Sequence, residues 1–331
     1  MNRISPITAK LLTLAMLKGV GPAALKRILQ EPDLQTASAE ALAQRLSSSV
    51  RPAEASTVWV DAVKKAADQI EQAETLGDRI LSQADGEFPI LLSATLDAPF
   101  FLFVRGHLSS TPDQAVAIIG TREPTPTGKK TAERITAWLV EKQWSIVSGL
   151  AEGCDGVAHQ TALDHDGHTV AVLAHGLQTI YPASHKKLAA DILANGGALV
   201  TEFPYGTRAI GPQFVKRDST QAGLAQGVVM IQSDLTGGSL HASRAALRYG
   251  RWLAVPTPTS QDQASLAPKA EANRVLTSAD TESIRALLKC DEDDLRRLVV
   301  LSGREDYVKL LERSSTSSQP KNPSPEQGSL L

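Results

Sequence analysis

Between residues 7 and 80, apolar positions recur three and four apart, as at Val58, Ala62, Ala66 and Ile70, in a background of Ala, Leu, Gln and Glu. That period puts them on one stripe of a helix, so this stretch predicts a small helical domain. From Phe88 to Leu108 the pattern changes to an apolar run rich in β-formers, Pro99-Phe100-Phe101-Leu102-Phe103-Val104-Arg105-Gly106, which predicts a strand. Short Val- and Ile-rich runs then alternate with helical stretches. The predicted strands are Ala115 to Ile119, Ser145 to Val147, Thr169 to Leu173, Ala198 to Val200, Gly227 to Ile231 and Trp252 to Val255. The predicted helices lie at about 128–142, 155–165, 184–195, 219–226 and 239–249.

Strands without polar alternation are buried on both faces, and strict strand–helix alternation makes them parallel. The fold class expected is α/β, a Rossmann-like doubly wound parallel sheet with a small N-terminal helical domain. The expected division is 1–85 helical, 86–258 Rossmann-like, 259–312 a C-terminal helical segment with helices at 283–288 and within 292–311, and 313–331 a disordered tail. That tail is rich in Ser, Pro and Gln and lacks the apolar surface to offset its ordering entropy.

Composition narrows the function. The 331 residues carry 34 Lys and Arg against 36 Asp and Glu, a net charge of -2, with no basic arm in any region. Nucleic-acid binding therefore requires a local patch rather than bulk charge, and the few aromatic residues (6 Phe, 4 Trp, 4 Tyr) limit base stacking. The two cysteines, Cys154 and Cys290, have neither disulfide-scaffold nor zinc spacing, which suits a reducing compartment. The apolar run at Leu11 to Leu17 is short, and no stretch approaches the roughly 20 residues needed to span a bilayer. A cytoplasmic protein with no membrane partner and no metal is the expectation.

In a parallel sheet, ligands sit outside the carboxyl ends of the strands. After the first predicted strand comes Gly120-Thr121-Arg122; after the second, Ser148-Gly149-Leu150-Ala151-Glu152-Gly153-Cys154-Asp155; after the fifth, Ser233-Asp234-Leu235-Thr236-Gly237-Gly238-Ser239. Each joins small residues to a helix start, where backbone N–H groups and the helix dipole favour an anion. Arg122 adds a cationic fork. Neither the P-loop nor the Gly-x-Gly-x-x-Gly fingerprint is present, so NTPase and dehydrogenase readings are disfavoured. In the front domain, Gly19-Val20-Gly21-Pro22 reads either as the turn of a helix-hairpin-helix (SAM-like) motif, whose second helix faces a DNA phosphate, or as a plain tight turn.

Phe101 to Pro256 resembles the DNA-processing protein A (DprA, also Smf) family. The resemblance runs through Leu102-Phe103-Val104-Arg105-Gly106, Ile118-Ile119-Gly120-Thr121-Arg122, Ser148-Gly149-Leu150-Ala151-Glu152-Gly153-Cys154-Asp155, Tyr181-Pro182, Glu202-Phe203-Pro204, Phe214 with Arg217, Gly238-Ser239-Leu240 and Ala254-Val255-Pro256. It implies a non-catalytic recombination mediator that binds single-stranded DNA, acts as a homodimer with a RecA-type recombinase in DNA uptake and transformation, and needs no cofactor. Carried over by position, the DNA- and phosphate-binding residues are Gly120, Thr121, Arg122, Ser148, Gly149, Phe214, Lys216, Arg217, Gly238 and Ser239. Phe214 either stacks on a base or packs in the core.

Two departures bear on affinity. Glu152 stands where the family usually has Arg, and Asp218-Ser219 follow Arg217 where it usually has Asn-Arg. Extra acids near a phosphate path weaken DNA binding or redirect the pocket to a nucleotide ligand, which makes a nucleotide sensor the alternative. Among catalytic alternatives, Asp155 and His159 share a helix face beside Cys154 but read as an N-cap and a packed histidine. In a phosphoribohydrolase the glycine loop is followed by a catalytic Glu, whereas Leu240, His241 and Ala242 follow Ser239 here.

Overall fold

A computed structural model describes residues 4–46, 55–109 and 114–316. The front of the chain is helical: α1 (Pro6–Ala15), α2 (Pro22–Ile28), α3 (Ala39–Ala43) and α4 (Ala55–Leu76). Ser5 caps α1 by accepting from the Thr8 N–H at 3.1 Å, and Pro22 opens α2 after Gly19, which sits at φ 86° in the left-handed region. Leu11, Leu14, Leu25, Ile28 and Leu42 close a small core between these helices.

The remainder is built on strands β1 (Arg79–Ser82), β2 (Phe101–Gly106), β3 (Ala115–Ile119), β4 (Ser145–Ser148), β5 (Thr169–Val172), β6 (Ala198–Thr201), β7 (Gly227–Met230), β8 (Trp252–Pro256) and β9 (Leu298–Leu301). They form one sheet in the order β1-β2-β6-β5-β4-β3-β7-β8-β9. All pairs from β6 to β9 are parallel; β1 with β2 and β2 with β6 are antiparallel. The chain winds outward from β3 to β6, returns beside β3 as β7, and winds the other way to β9, so the switch point lies between β3 and β7. The doubly wound α/β class follows directly.

The connecting helices are α5 (Ile90–Ser93), α6 (Pro126–Glu141), α7 (Cys154–Asp164), α8 (Lys186–Ala194), α9 (Gly211–Gly223), α10 (Ser239–Arg248), α11 (Ser260–Ala264), α12 (Glu271–Leu276), α13 (Thr281–Leu288) and α14 (Val308–Thr316). Alternate strand residues send Ala117, Val147, Val170 and Val228 toward α9, α10, α12 and α13. Their neighbours Val116, Ile118, Ile146 and Val229 pack against α6, α7 and α14. On that second face, α1, α4 and α8 cover Ile80, Phe103, Ala171 and Leu199. Both faces being dry explains why the strands read as continuous apolar runs.

Four expectations need correction. Residues 79–82, inside the stretch expected to be helical, form β1, because Ile80 and Leu81 find a paired edge on β2. Residues 298–301, expected within a helix, form β9, whose Val299 and Leu301 are buried against β8. The helix expected at 219–226 starts at Gly211, with Pro212 in its first turn. The expected disordered tail begins inside α14, which runs to Thr316; residues 317–331 lie outside the described residues.

Candidate functional site

At the switch point a cleft of ≈ 360 Å³ opens between the loops that follow β3, β4 and β7 and the first half of α9. Its first wall is Gly120-Thr121-Arg122. Gly120 is required by close approach, since a Cβ there would stand 2.5 Å from the Cys154 Sγ. The loop is pinned on both sides: the Thr121 N–H donates to the Gln232 carbonyl at 2.8 Å and its carbonyl accepts from the Cys154 N–H at 3.1 Å. Arg122 is left exposed, its guanidinium carbon 5.4 Å from the centre of the Phe214 ring. Phe214 is half-buried in α9 and meets Tyr181, itself 50% exposed, with ring centres 6.0 Å apart at 59°. Arg122, Phe214 and Tyr181 thus form one cationic and aromatic surface at the mouth of the cleft.

The floor is made by Arg217, one turn after Phe214 on α9 and 5% exposed. Its Nη1 donates to the Val172 carbonyl at 2.9 Å and to the Gly149 carbonyl, and its Nε donates to Asp218 Oδ1 at 3.0 Å. The guanidinium fills the space that a side chain at residue 149 would need. Asp155 lies beside it, accepting from the Ala151 N–H at 3.4 Å. Gln221 closes the network, its amide oriented to accept from the Gly149 N–H at 2.7 Å and donate to Asp218 Oδ1 at 3.1 Å. Burial pushes both carboxyl groups up, to about 6 for Asp155 and about 6 for Asp218, against the opposing pull of Arg217.

The far wall comes from the loop after β7. Gly237, Gly238 and Ser239 lead into α10, and the Ser239 hydroxyl donates to Ser233 Oγ at 2.9 Å. Asp234 accepts from the Thr236 N–H at 3.1 Å and pairs with Lys269 at 3.1 Å, which reaches toward Glu123 at 3.6 Å. This bridge joins the loop after β3 to the segment before α12.

Gly120, Thr121, Arg122, Phe214, Arg217, Gly238 and Ser239 therefore line one cleft. Ser148 and Gly149 lie behind the floor, the Ser148 hydroxyl donating to the Ile118 carbonyl at 2.6 Å. Lys216 points away, pairing with Glu202 at 2.6 Å and facing Phe203. Glu123, Asp234 and Lys269 were missed as site residues. Lys269 is far along the chain, in a segment with no motif, and only the docking of α12 against β8 and the residues that follow β7 brings it in.

Asp155 is not the helix cap expected of it: Gly153, at φ 78°, precedes α7, and Asp155 turns into the floor network. His159 Nδ1 shares a 2.7 Å hydrogen bond with Thr169 Oγ1, and burial lowers its pKa to about 3, which keeps the ring neutral at physiological pH. Burial likewise raises the Cys154 thiol far above its ordinary value, so it stays protonated. No described group of three or more His, Cys, Asp or Glu residues is placed to hold a metal ion, and no described helix is long and apolar enough to cross a membrane.

A nine-stranded sheet with a cleft at the switch of winding direction defines a Rossmann-like α/β protein. Comparison with known proteins makes the assignment particular: the model of the family described as DNA recombination-mediator protein A matches residues 79–283, and the chain belongs to that family. The chain is 41% identical over 180 residues to Protein Smf of Escherichia coli strain K12, a match covering 54% of this chain and 48% of that one, so the chain spans about half that relative's length. Among solved structures, DNA processing protein A from Streptococcus pneumoniae superposes with a TM-score of 0.66 at 23% identity, covering 91% of this chain and 95% of that one. DNA processing protein A from Helicobacter pylori, described for its single-stranded DNA binding mode, gives 0.55 at 24%, covering 71% and 95%. The two structures share this fold.

Proposed function

We propose that the switch-point cleft binds single-stranded DNA, with phosphate held at the loop after β3 and a base stacked on Phe214 or Tyr181. On this reading the protein is a non-catalytic recombination mediator that works as a homodimer and passes DNA to a RecA-type recombinase during DNA uptake. The carrying observation is Arg122, an exposed guanidinium seated over Phe214, with no ion pair among the described residues. An arginine next to an aromatic face suits a strand whose phosphate and base arrive together. The family membership and the binding mode described for the Helicobacter pylori protein support the reading.

Arg122→Ala should weaken single-stranded DNA binding by about 1–3 kcal/mol and leave thermal unfolding unchanged, as read by fluorescence anisotropy at two salt concentrations. An unchanged Kd with an unchanged melting curve would remove the cleft from consideration.

A second reading, a nucleotide sensor, draws on the buried pair Asp155 and Asp218 and on the size of the cleft, which falls in the range of small-ligand sites at roughly 300–1,000 Å³. It predicts thermal stabilisation by mononucleotides at concentrations too low to displace DNA.

A further inference from the structure

We infer that Glu152, at the mouth of the cleft, reads a base edge and favours guanine among the bases of a bound single strand; the inference rests on the single-stranded DNA reading above. Arg122, Gly149, Ala151, Glu152, Tyr181 and Phe214 surround a notch beside the main cleft. One side is the Arg122, Phe214 and Tyr181 surface. Glu152 is exposed, and among the described residues its carboxylate has one partner, the Ser184 hydroxyl, which donates to Oε1 at 2.9 Å. That bond engages Oε1 and leaves Oε2 without a partner among the described residues. No described cation pairs with it.

A carboxylate accepts hydrogen bonds and donates none, so it repels phosphate and needs a donor. Along a DNA strand the internal phosphates and sugars carry no N–H or O–H group; only the bases do. Adenine and cytosine each offer an amino group and thymine one ring N–H. Guanine alone presents adjacent N1–H and N2–H donors, the pair that matches the two lone-pair directions of a carboxylate. Stacking on Phe214 or Tyr181 leaves a base free to turn in its own plane, and Glu152, which borders the same notch, favours the orientation that brings the Watson–Crick edge to its carboxylate. Arg122 meanwhile offsets the carboxylate's repulsion of the strand.

The test uses the full chain and fluorescein-labelled single strands of about 15 nucleotides, oligo-dT carrying isolated dG or, in the same places, deoxyinosine, which keeps N1–H and lacks the amino group. The wild type should bind the dG strand about fivefold more tightly than the deoxyinosine strand. Glu152→Gln, which keeps the shape and the Ser184 contact but loses the charge, should bring the two Kd values together while binding all-dT at least as well as the wild type. Glu152→Ala, with unchanged melting, checks that the loss is one of recognition. Equal affinities for dG and deoxyinosine in the wild type, or a preference that survives in Glu152→Gln, would overturn the inference and leave DNA binding standing. Absence of binding to every strand would overturn the DNA reading and this inference with it.

Discussion

At the scale of single residues, the charge of the cleft is set by burial as much as by composition. Arg217, expected to meet phosphate, has its guanidinium taken up by two carbonyls and Asp218, whereas Arg122 is free to do so. Asp218, an apparent obstacle to DNA in the sequence, is 8% exposed and serves Arg217 and Gln221. Of the two acids that depart from the family pattern, Glu152 is the exposed one. Burial raises the Asp155 and Asp218 carboxyls to about 6 in the fold, from about 3.9 when unfolded. A raised carboxyl pKa gives a stability contribution fully present below about pH 4 and lost as pH rises through about 6. His159, held neutral by burial, acts in the opposite sense over the same window, so the total can stay flat. Asp218→Asn removes this acid and also relieves Asp155, which Asp218 helps to raise, so both changes act in one direction: between about pH 7.5 and about pH 4.5 the wild type should gain about 1–2 kcal/mol over the variant in urea unfolding. A constant difference across that range would mean that Asp218 is ionised throughout.

At the scale of elements, hydrophobic period located the helices and central strands well, and failed at both edges of the sheet. β3 to β8 carry uninterrupted Val, Ile and Ala runs because both faces are covered, a signal visible in any window. β1 and β9 are four residues each, no shorter than β4 to β7, but they lie directly beside helix-rich sequence, which masks them. The start of α9 was missed because Gly211 and Pro212 look like loop residues, although Pro is well placed in a first helical turn. β9 is an integral strand, with Leu301 4% exposed and paired to Pro256, and the Thr257 N–H donating to the Leu301 carbonyl at 2.9 Å. Leu301→Ala should therefore cost about 2–4 kcal/mol in urea unfolding. A loss below about 1 kcal/mol would make the last strand peripheral to the sheet.

At the scale of the whole molecule, the front helices meet the sheet through a shared apolar core and, within it, one buried acid. Asp78, fully buried after α4, accepts from Arg105 Nε and Nη2 of β2 at 2.7 Å each and from the Tyr205 hydroxyl at 2.7 Å. Gln69 of α4 adds a second tie, its side-chain oxygen accepting from the Tyr205 N–H at 2.8 Å. Replacing Asp78 by Asn leaves Arg105 half-buried without its counter-charge, at a cost of about 2–4 kcal/mol. If helices and sheet unfold as one unit, circular dichroism and tryptophan fluorescence should report a single transition displaced together in the variant. Separate transitions, with only one displaced, would make them independent bodies. The sequence by itself determined the alternation of strands and helices, the sheet's parallel core and the loops at its carboxyl edge, because period and glycine placement are local properties that survive without a partner. Only the tertiary structure decided which strands close the edges, that Lys269 reaches the cleft, and which of Arg122, Glu152, Arg217 and Asp218 is exposed rather than buried. Those outcomes depend on burial and on pairing between residues far apart in the chain, and neither leaves a mark on the residues nearby in sequence.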